Sequence, residues 1–362
     1  AGSVTSGKVD ANTLTVQAGN GITATGKLSA NQSINLTSAG DVTARDIETF
    51  GAFADVTVNS TAGMARVDGN VSAKGQYVVE GATGVRLGNI PGSLQKADSR
   101  VAITAHGGNV VAAGAGLTLQ SNAEKVGVET VSVRATAGDL QLTQATLVGG
   151  SIAERESGVQ LVAGGNVGFG DVHASTLTVQ AGTGITSPGA IKTSNALTLA
   201  TTGVGANIDV TAIETTDAGS GISLDAQAGA VFVRGTVTSL GDYLVNGNTG
   251  VTLGTGASAI TQKAAGQVSL TSAGNISSVG TLSLQANVNG AGAEKLVVNS
   301  SGGSINLSGS GLTGGSTGDR ESVVQVLAGT GNVTLGSVVG NALFVRAGQA
   351  VSVSGAINPG NP

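Results

Sequence analysis

The most regular feature of the chain is a short alternation of apolar and polar residues that recurs along its whole length. Such runs occupy residues 34–37, 56–59, 101–104, 117–120, 131–134 and 159–162. A period of two residues is typical of a β-strand that buries one face and exposes the other. The sequence therefore predicts many short strands.

Small residues that favour turns follow these runs at regular intervals. The turn glycines Gly19, Gly40, Gly63, Gly84 and Gly107 lie 21 to 23 residues apart. Glycine supplies the sharp corners that such a chain needs. A step of about 20 residues is typical of the coils of a solenoid.

A longer repeat contains these steps. Residues 13–19 return as 176–182, residues 75–81 return as 241–247, and a third copy opens at Leu343. We assign the copies to 12–174, 175–340 and 341–362, with an offset that moves from 163 to 166 residues. We expect one continuous array over 1–362, as a slice of a longer one.

Composition decides which solenoid this is. The chain has 60 glycines, 40% apolar residues, 2% aromatic residues and 11% charged residues, which disfavours disorder. The sequence lacks both the regular leucine pattern of leucine-rich repeats and the long 3.6-residue periodicity of helical repeats. We predict an all-β, right-handed parallel β-helix with about 20 residues per coil and roughly 18 coils, almost free of helix.

Charge and residue counts limit the partners. The net charge is −5, and 17 Lys and Arg residues are scattered singly, so we expect no nucleic-acid partner. No stretch approaches the ~20 apolar residues of a membrane span, so we expect no membrane insertion. The chain has no Cys and no repeated Asp-rich turn. We expect no metal and no cofactor.

Several coils contain glycine-rich segments of the form Leu-Thr-Leu-Gln-x-Ala-Gly-x-Ile or Val-x-Leu-x-Ala-Gly-Gly-Asn-Val. Examples are 117–123, 159–167 and 268–276. These motifs resemble the haemagglutinin repeats of filamentous haemagglutinin-like exoproteins, the large adhesins of Gram-negative two-partner secretion. The resemblance implies a secreted or cell-surface location, export through an outer-membrane transporter, and a role in adhesion connected with virulence or biofilm.

Catalytic candidates are few. Enzymes on this fold need clustered carboxylates, and the candidates are Asp41, Asp46, Glu48, Asp209, Glu214 and the two groups Glu154-Arg155-Glu156 and Asp319-Arg320-Glu321. We interpret the two acid-Arg-acid groups as solvated corners. His106 and His173 are replaced by Ala273 and Val339 in the next copy. We predict no catalytic residues and no enzyme.

Two tyrosines occupy equivalent places in the copies, Tyr77 and Tyr243. Each is either a sugar-stacking platform or a packed residue that closes a wide coil. With Arg155 and Arg320 they form a possible binding face. If one copy closes on eight coils, equivalent residues lie about 38 Å apart on one face. Such a display suits multivalent attachment.

These observations predict the shaft of an adhesin that provides reach, stiffness and repeated display towards an unidentified surface receptor or glycan. One alternative is an extracellular filament or matrix protein that assembles by head-to-tail stacking of strand edges. A second alternative is a β-helical carbohydrate-active enzyme.

Overall fold

The computed structural model describes residues 2–124, 129–256, 258–290, 294–315 and 322–359. All regular structure in these ranges is β-strand, and the strands pair in parallel. The same ranges hold no helix with the length and apolarity that a membrane crossing requires. The predicted all-β parallel β-helix is confirmed.

Two compact units divide the chain. One comprises Ala1–Gly182 with Thr186–Gly189, and the other comprises Thr183–Ile185 with Ala190–Pro362. In each unit a coil consists of three strands, and each strand pairs with its counterpart in the next coil. We call the three stacks ladder 1, ladder 2 and ladder 3 in the order in which the chain visits them. A single continuous helix over 1–362 stays a prediction.

The strands of the first unit fall into these ladders as follows. Ladder 1 contains Ser3–Ser6, Gly21–Ala24, Asp41–Ala44, Met64–Val67, Gly84–Leu87, Val110–Ala112, Leu140–Leu142 and Asn166–Phe169. Ladder 2 contains Val9–Ala11, Leu28–Ala30, Ile47–Thr49, Val71–Ala73, Leu94–Ala97, Leu117–Ser121, Ala145–Gly149 and Val172–Ala174. Ladder 3 contains Leu14–Ala18, Ile34–Ser38, Val56–Ser60, Tyr77–Gly81, Val101–Ala105, Val131–Ala135, Val159–Ala163 and Leu177–Ala181.

The second unit repeats the arrangement. Ladder 3 contains Leu197–Thr201, Ile222–Ala226, Tyr243–Gly247, Val268–Ser272, Leu296–Ser300, Val323–Ala328 and Ala342–Arg346. Ladders 1 and 2 contain Ala230–Val233, Val237–Ser239, Gly250–Leu253, Ile260–Ala264, Asn275–Ser278, Leu282–Ala286, Val351–Val353 and Ile357–Pro359. Three longer strands run through both ladders: Asn207–Thr215, Ile305–Gly314 and Val333–Gly340. Gly184–Thr193 contributes residues to both units.

Coil length varies more than the turn glycines predict. In the first unit the ladder 3 register advances by as few as 18 residues, from Val159 to Leu177, and as many as 30, from Val101 to Val131. Seven steps separate Leu14 from Leu177, rather than the eight predicted for one copy. Among the described residues ladder 3 has eight strands in the first unit and seven in the second, fewer than the roughly 18 coils predicted.

The additional residues lie mainly at one corner. The connection from ladder 2 to ladder 3 has two residues between Ala11 and Leu14 but nine between Gly149 and Val159. We call this connection the variable corner. Solenoids accept insertions at a corner because the ladders on either side keep their pairing.

The core is a thin column of small aliphatic side chains. Inward positions of ladder 3 alternate with outward ones, as in Ile34, Leu36 and Ser38, which are all buried. The last inward position is small because the chain turns there. The hydroxyl of Ser60 donates to the carbonyl of Gly40 at 2.9 Å and accepts from the amide of Gly63 at 3.0 Å, so one side chain satisfies a backbone group at each of two half-buried corners.

Asn, Asp and Ser side chains fasten successive coils together at the corners. In the first unit the Asn109 Oδ1 accepts the amide of Asp139 at 2.9 Å, and the Asp139 Oδ1 accepts the amide of Asn166 at 2.7 Å. In the second unit the same chain of bonds runs from Asn275 through Ser304 to Asn332. Corner amides that have no strand partner are satisfied in this way.

Close approach between coils explains part of the glycine content. A Cβ on Gly40 would overlap the carbonyl oxygen of Asn20 in the preceding coil. Both groups are backbone, so neither can move aside without disturbing the stack. Gly7 is different, because a Cβ there would meet no atom within 4 Å.

We predict that Gly40→Ala destabilises the first unit by about 1–3 kcal/mol, the usual cost of overpacking. Gly7→Ala is the matched control and should be neutral or slightly stabilising, because it only restricts the unfolded chain. Denaturant unfolding followed by circular dichroism compares the two variants. Equal denaturant midpoints for the two variants would contradict a close contact between coils at Gly40.

Candidate functional site

The two repeated tyrosines do not form a surface platform. Tyr77 and Tyr243 each begin a ladder 3 strand and point inward, and both are 0% exposed. A buried ring cannot stack on a ligand at the surface. Their assignment to a binding face is therefore corrected, and the alternative of a packed residue that fills a wide coil agrees with the structure.

Each tyrosine is part of a buried hydrogen-bond network with a glutamine. The Tyr77 hydroxyl donates to Gln95 Oε1 at 3.1 Å, while Gln95 Nε2 donates to the carbonyls of Val67 and Gly69, both at 3.0 Å. Gln95 is 0% exposed. The glutamine thus satisfies two corner carbonyls and the phenol at once.

The second copy reproduces this network. The Tyr243 hydroxyl donates to Gln262 Oε1 at 3.3 Å, and Gln262 Nε2 donates to the carbonyls of Val233 and Gly235 at 3.3 and 3.2 Å. Sequence reasoning missed both glutamines. The available signal was the segment Gln-Lys-Ala, which starts at Gln95 and again at Gln262, with a polar residue at an inward strand position.

Arg155 lies in a loop of the variable corner. Its φ is 54°, it is half-buried, and its guanidinium donates to the carbonyl of Ile152 at 3.4 Å. The neighbouring Glu156 carboxylate accepts the amide of Ser151 at 2.7 Å. These contacts close the loop upon itself. The paired residue, Arg320, and its neighbours Asp319 and Glu321 lie outside the described residues, so the matched arginine pair stays a prediction.

The other carboxylates considered for catalysis have structural partners. Asp41 and Asp46 accept the amides of Met64 and Asn70 in the next coil, at 2.8 and 2.9 Å. Ion pairs join Glu48 to Lys27, Glu214 to Lys192 at 2.9 Å, and Asp209 to Arg234 with two contacts of 2.6 Å. Within the described ranges no group of three or more His, Asp or Glu residues could hold a metal ion.

A groove at the variable corner of the first unit combines aromatic and charged side chains. It has a cavity volume of about 640 Å³ and is lined in part by Phe50, Phe53, Lys74, Asp98, Glu124 and Glu129. We call it the corner groove. Phe50 is 54% exposed and Phe53 is 88% exposed. The residues that line the corner groove come from four successive coils, so the groove follows the stacking direction.

Lys74 organises the polar side of the corner groove. Its Nζ lies 2.8 Å from Asp98 Oδ2 and 2.7 Å from Glu124 Oε1. Burial raises the pKa of the Asp98 carboxyl above its ordinary value, and the nearby Glu124 adds to this effect while Lys74 opposes it. The hydrogen bond from Lys74 lowers the pKa of the exposed Glu124 carboxyl.

Phe53 has a backbone conformation that is unusual for a bulky residue. Its φ is 60°, in a turn closed by a bond of 3.1 Å from the amide of Ala54 to the carbonyl of Gly51. In the second copy the equivalent turn has Gly219 at this place, with a φ of 81°. Glycine adopts this conformation without strain, whereas a bulky side chain does so at a cost.

The chain matches no protein-family model, and neither a curated protein nor a solved structure is significantly similar to it. The resemblance to haemagglutinin repeats therefore remains a resemblance of short motifs. Function has to be inferred from the geometry of the coils and their corners.

The buried tyrosines generate a pH prediction. Burial raises the pKa of both phenols above the ordinary value of 10.0, so only the unfolded chain loses these protons just above that pH. The free energy of unfolding should be insensitive to these groups below pH 10. Above it, stability should fall by about 1.4 kcal/mol per pH unit for each tyrosine.

Absorbance of tyrosinate measures this directly, because the chain has two Tyr and no Trp. We expect tyrosinate to appear only together with loss of the β-sheet circular dichroism signal. Tyr77→Phe should lower the stability below pH 10 by about 1 kcal/mol, since Gln95 loses a partner, and should reduce the alkaline slope by about 1.4 kcal/mol per pH unit. Tyrosinate in a chain with native circular dichroism would show that the rings are accessible.

Proposed function

We propose that the chain is a shaft of a secreted or cell-surface bacterial adhesin, with a structural role and no catalytic one. The observation that carries the proposal is the corner bonding between coils, from Asn109 through Asp139 to Asn166 and from Asn275 through Ser304 to Asn332. Within each unit, ladders on three sides and these side chains hold each coil to the next. Such a stack resists bending and pulling.

Two of the three segments that resemble haemagglutinin repeats coincide with one structural unit, which supports the adhesin part of the proposal. The third, residues 117–123, is a ladder 2 strand and the start of the variable corner. Residues 159–167 contain a ladder 3 strand, a Gly-Gly corner, and Asn166, which begins ladder 1. Residues 268–276 trace the same path, with Asn275 at the equivalent place. The motif in these two segments therefore encodes a corner of only two residues between ladder 3 and ladder 1.

The carboxylates support a structural role. Asp41 and Asp46 are engaged by backbone amides of the next coil, and Asp209 is engaged by Arg234. An acid or base needs a proton that it can exchange with a substrate. Carboxylates that hold coils together serve assembly instead.

A shaft should change length in whole coils. Leu14 and Leu177 occupy the same place in ladder 3, seven coils apart. A second set of residues 14–176 inserted before Leu177 should therefore extend the protein by about 34 Å, at ~4.8 Å per coil. Small-angle X-ray scattering measures the gain in maximum dimension, and a scrambled insert of equal length is the control.

An attachment assay tests whether the length of the coil stack matters for function. We would display the chain between an outer-membrane anchor and a binding head of known ligand. Deleting residues 14–176 should weaken attachment to ligand buried beneath a polymer brush but not to ligand on a bare surface. Equal attachment to both surfaces after deletion would contradict the shaft function.

A further inference from the structure

The corner groove exposes aromatic surface that the fold does not use. Phe50 and Phe53 are 54% and 88% exposed, and Phe53 adopts a backbone conformation that disfavours its side chain. Folding gains little from rings that remain in water. Exposed apolar side chains grouped in a concave site with convergent polar groups are typical of ligand-binding surfaces.

The second copy shows that the coil forms without this chemistry. The turn bond from Ala54 to Gly51 is matched by a 3.1 Å bond from Ser220 to Asp217. Thr215 Oγ1 accepts the amide of Leu240 at 3.0 Å, as Thr49 Oγ1 accepts that of Lys74 at 2.9 Å. Backbone and framework are therefore equivalent in the two copies.

The side chains on this shared framework differ at most positions that give the groove its character, and among the aromatic and charged residues only Glu129 keeps its residue type, as Glu294. Phe50, Phe53, Lys74, Asp98 and Glu124 correspond to Thr216, Gly219, Leu240, Ala265 and Asn289. A groove of about 500 Å³ exists at the equivalent corner, lined in part by Gly219, Leu240 and Ala265. The two rings, Lys74, Asp98 and Glu124 are an addition to the scaffold rather than a part of it.

The polar groups of the corner groove are suited to a ligand that carries many hydroxyl groups. Lys74 has three donors, and its two ion pairs leave one of them available. Each carboxylate has about four acceptor sites, so Asp98, Glu124 and Glu129 accept several more bonds than the lysine provides. Apolar rings on one side and fixed donors and acceptors on the other match a sugar ring, which has an apolar face and a polar edge.

Charge decides which saccharide fits. Among the described residues that line the groove, three carboxylates face one ammonium group, so a sulfated or uronic chain would be repelled. Lys74 already occupies the position between Asp98 and Glu124 where a cationic sugar would seek its counter-charge. The groove also extends over four coils, about 14 Å at ~4.8 Å per coil, which suits a chain of sugars better than a single ring.

We propose that the corner groove binds an uncharged oligosaccharide, with its sugar faces on Phe50 and Phe53 and its hydroxyl groups on Lys74, Asp98 and Glu124. This binding function goes beyond the shaft role and does not depend on it. Residues distributed over four coils build the site, so only the stacked fold assembles it.

Calorimetric titration of the full chain tests the proposal with oligosaccharides of matched length. The probes are oligomers of glucose, N-acetylglucosamine, de-acetylated glucosamine and galacturonic acid. We expect saturable binding of a glucose or N-acetylglucosamine oligomer and none of the galacturonic acid oligomer. Binding of none of the four probes, or of the cationic glucosamine oligomer alone, would overturn the proposal, the latter in favour of a cation site.

Variants that carry the second copy's residues locate the site. Phe50→Thr with Phe53→Gly should weaken binding by at least about tenfold, and Lys74→Leu with Asp98→Ala should do the same. Both pairs should keep the wild-type melting temperature and buried tyrosines, because the second copy folds with these residues. Phe344→Thr, which removes a ring that is also 54% exposed but lies elsewhere, is the matched control and should bind normally. Unchanged affinity in both paired variants would place any binding outside the groove and reject the proposal.

Discussion

Every feature of this protein depends on hydrogen bonding along the stacking direction, from each coil to the next. Each strand must follow the strand of the preceding coil closely, because their backbones are joined by hydrogen bonds along their whole length. This constraint explains why Gly40 lies against the carbonyl of Asn20, and why Asp139 reaches from its own coil to the amide of Asn166. It also keeps the core thin, since inward residues meet their own equivalents above and below.

The sequence was sufficient to predict the strands, the solenoid and the parallel stacking, because alternation and turn spacing are local properties. Coil number was predicted less well. Insertions such as the nine residues after Gly149 lie in the variable corner and lengthen the copy without adding a coil. Whether Tyr77 points inward depends on which residues of its strand face the core. The flanking residues did not decide this, so the sequence allowed both a surface platform and a packed position.

The corner groove could not be predicted because its members are far apart in the chain. Phe53, Lys74 and Glu124 meet only when successive coils are stacked. A comparison of the two copies offers the signal that was missed: the framework residues agree, as at Thr49 and Thr215, while Phe53 replaces a glycine. A repeat protein thus contains its own reference, in which shared residues describe the scaffold and unshared residues describe what has been added to it.

The paired tyrosine and glutamine also affect how an array of similar coils reaches the correct alignment. Neighbouring coils have nearly interchangeable aliphatic strands, so a chain that skips or slips a coil while folding would lose little apolar burial. A slipped Tyr77 would face a coil that has no Gln95, and its hydroxyl would be buried without a partner. One such polar pair in each copy therefore raises the free energy of stacks with the wrong coil alignment. Hydrophobic packing alone would hardly distinguish these stacks from the correct one.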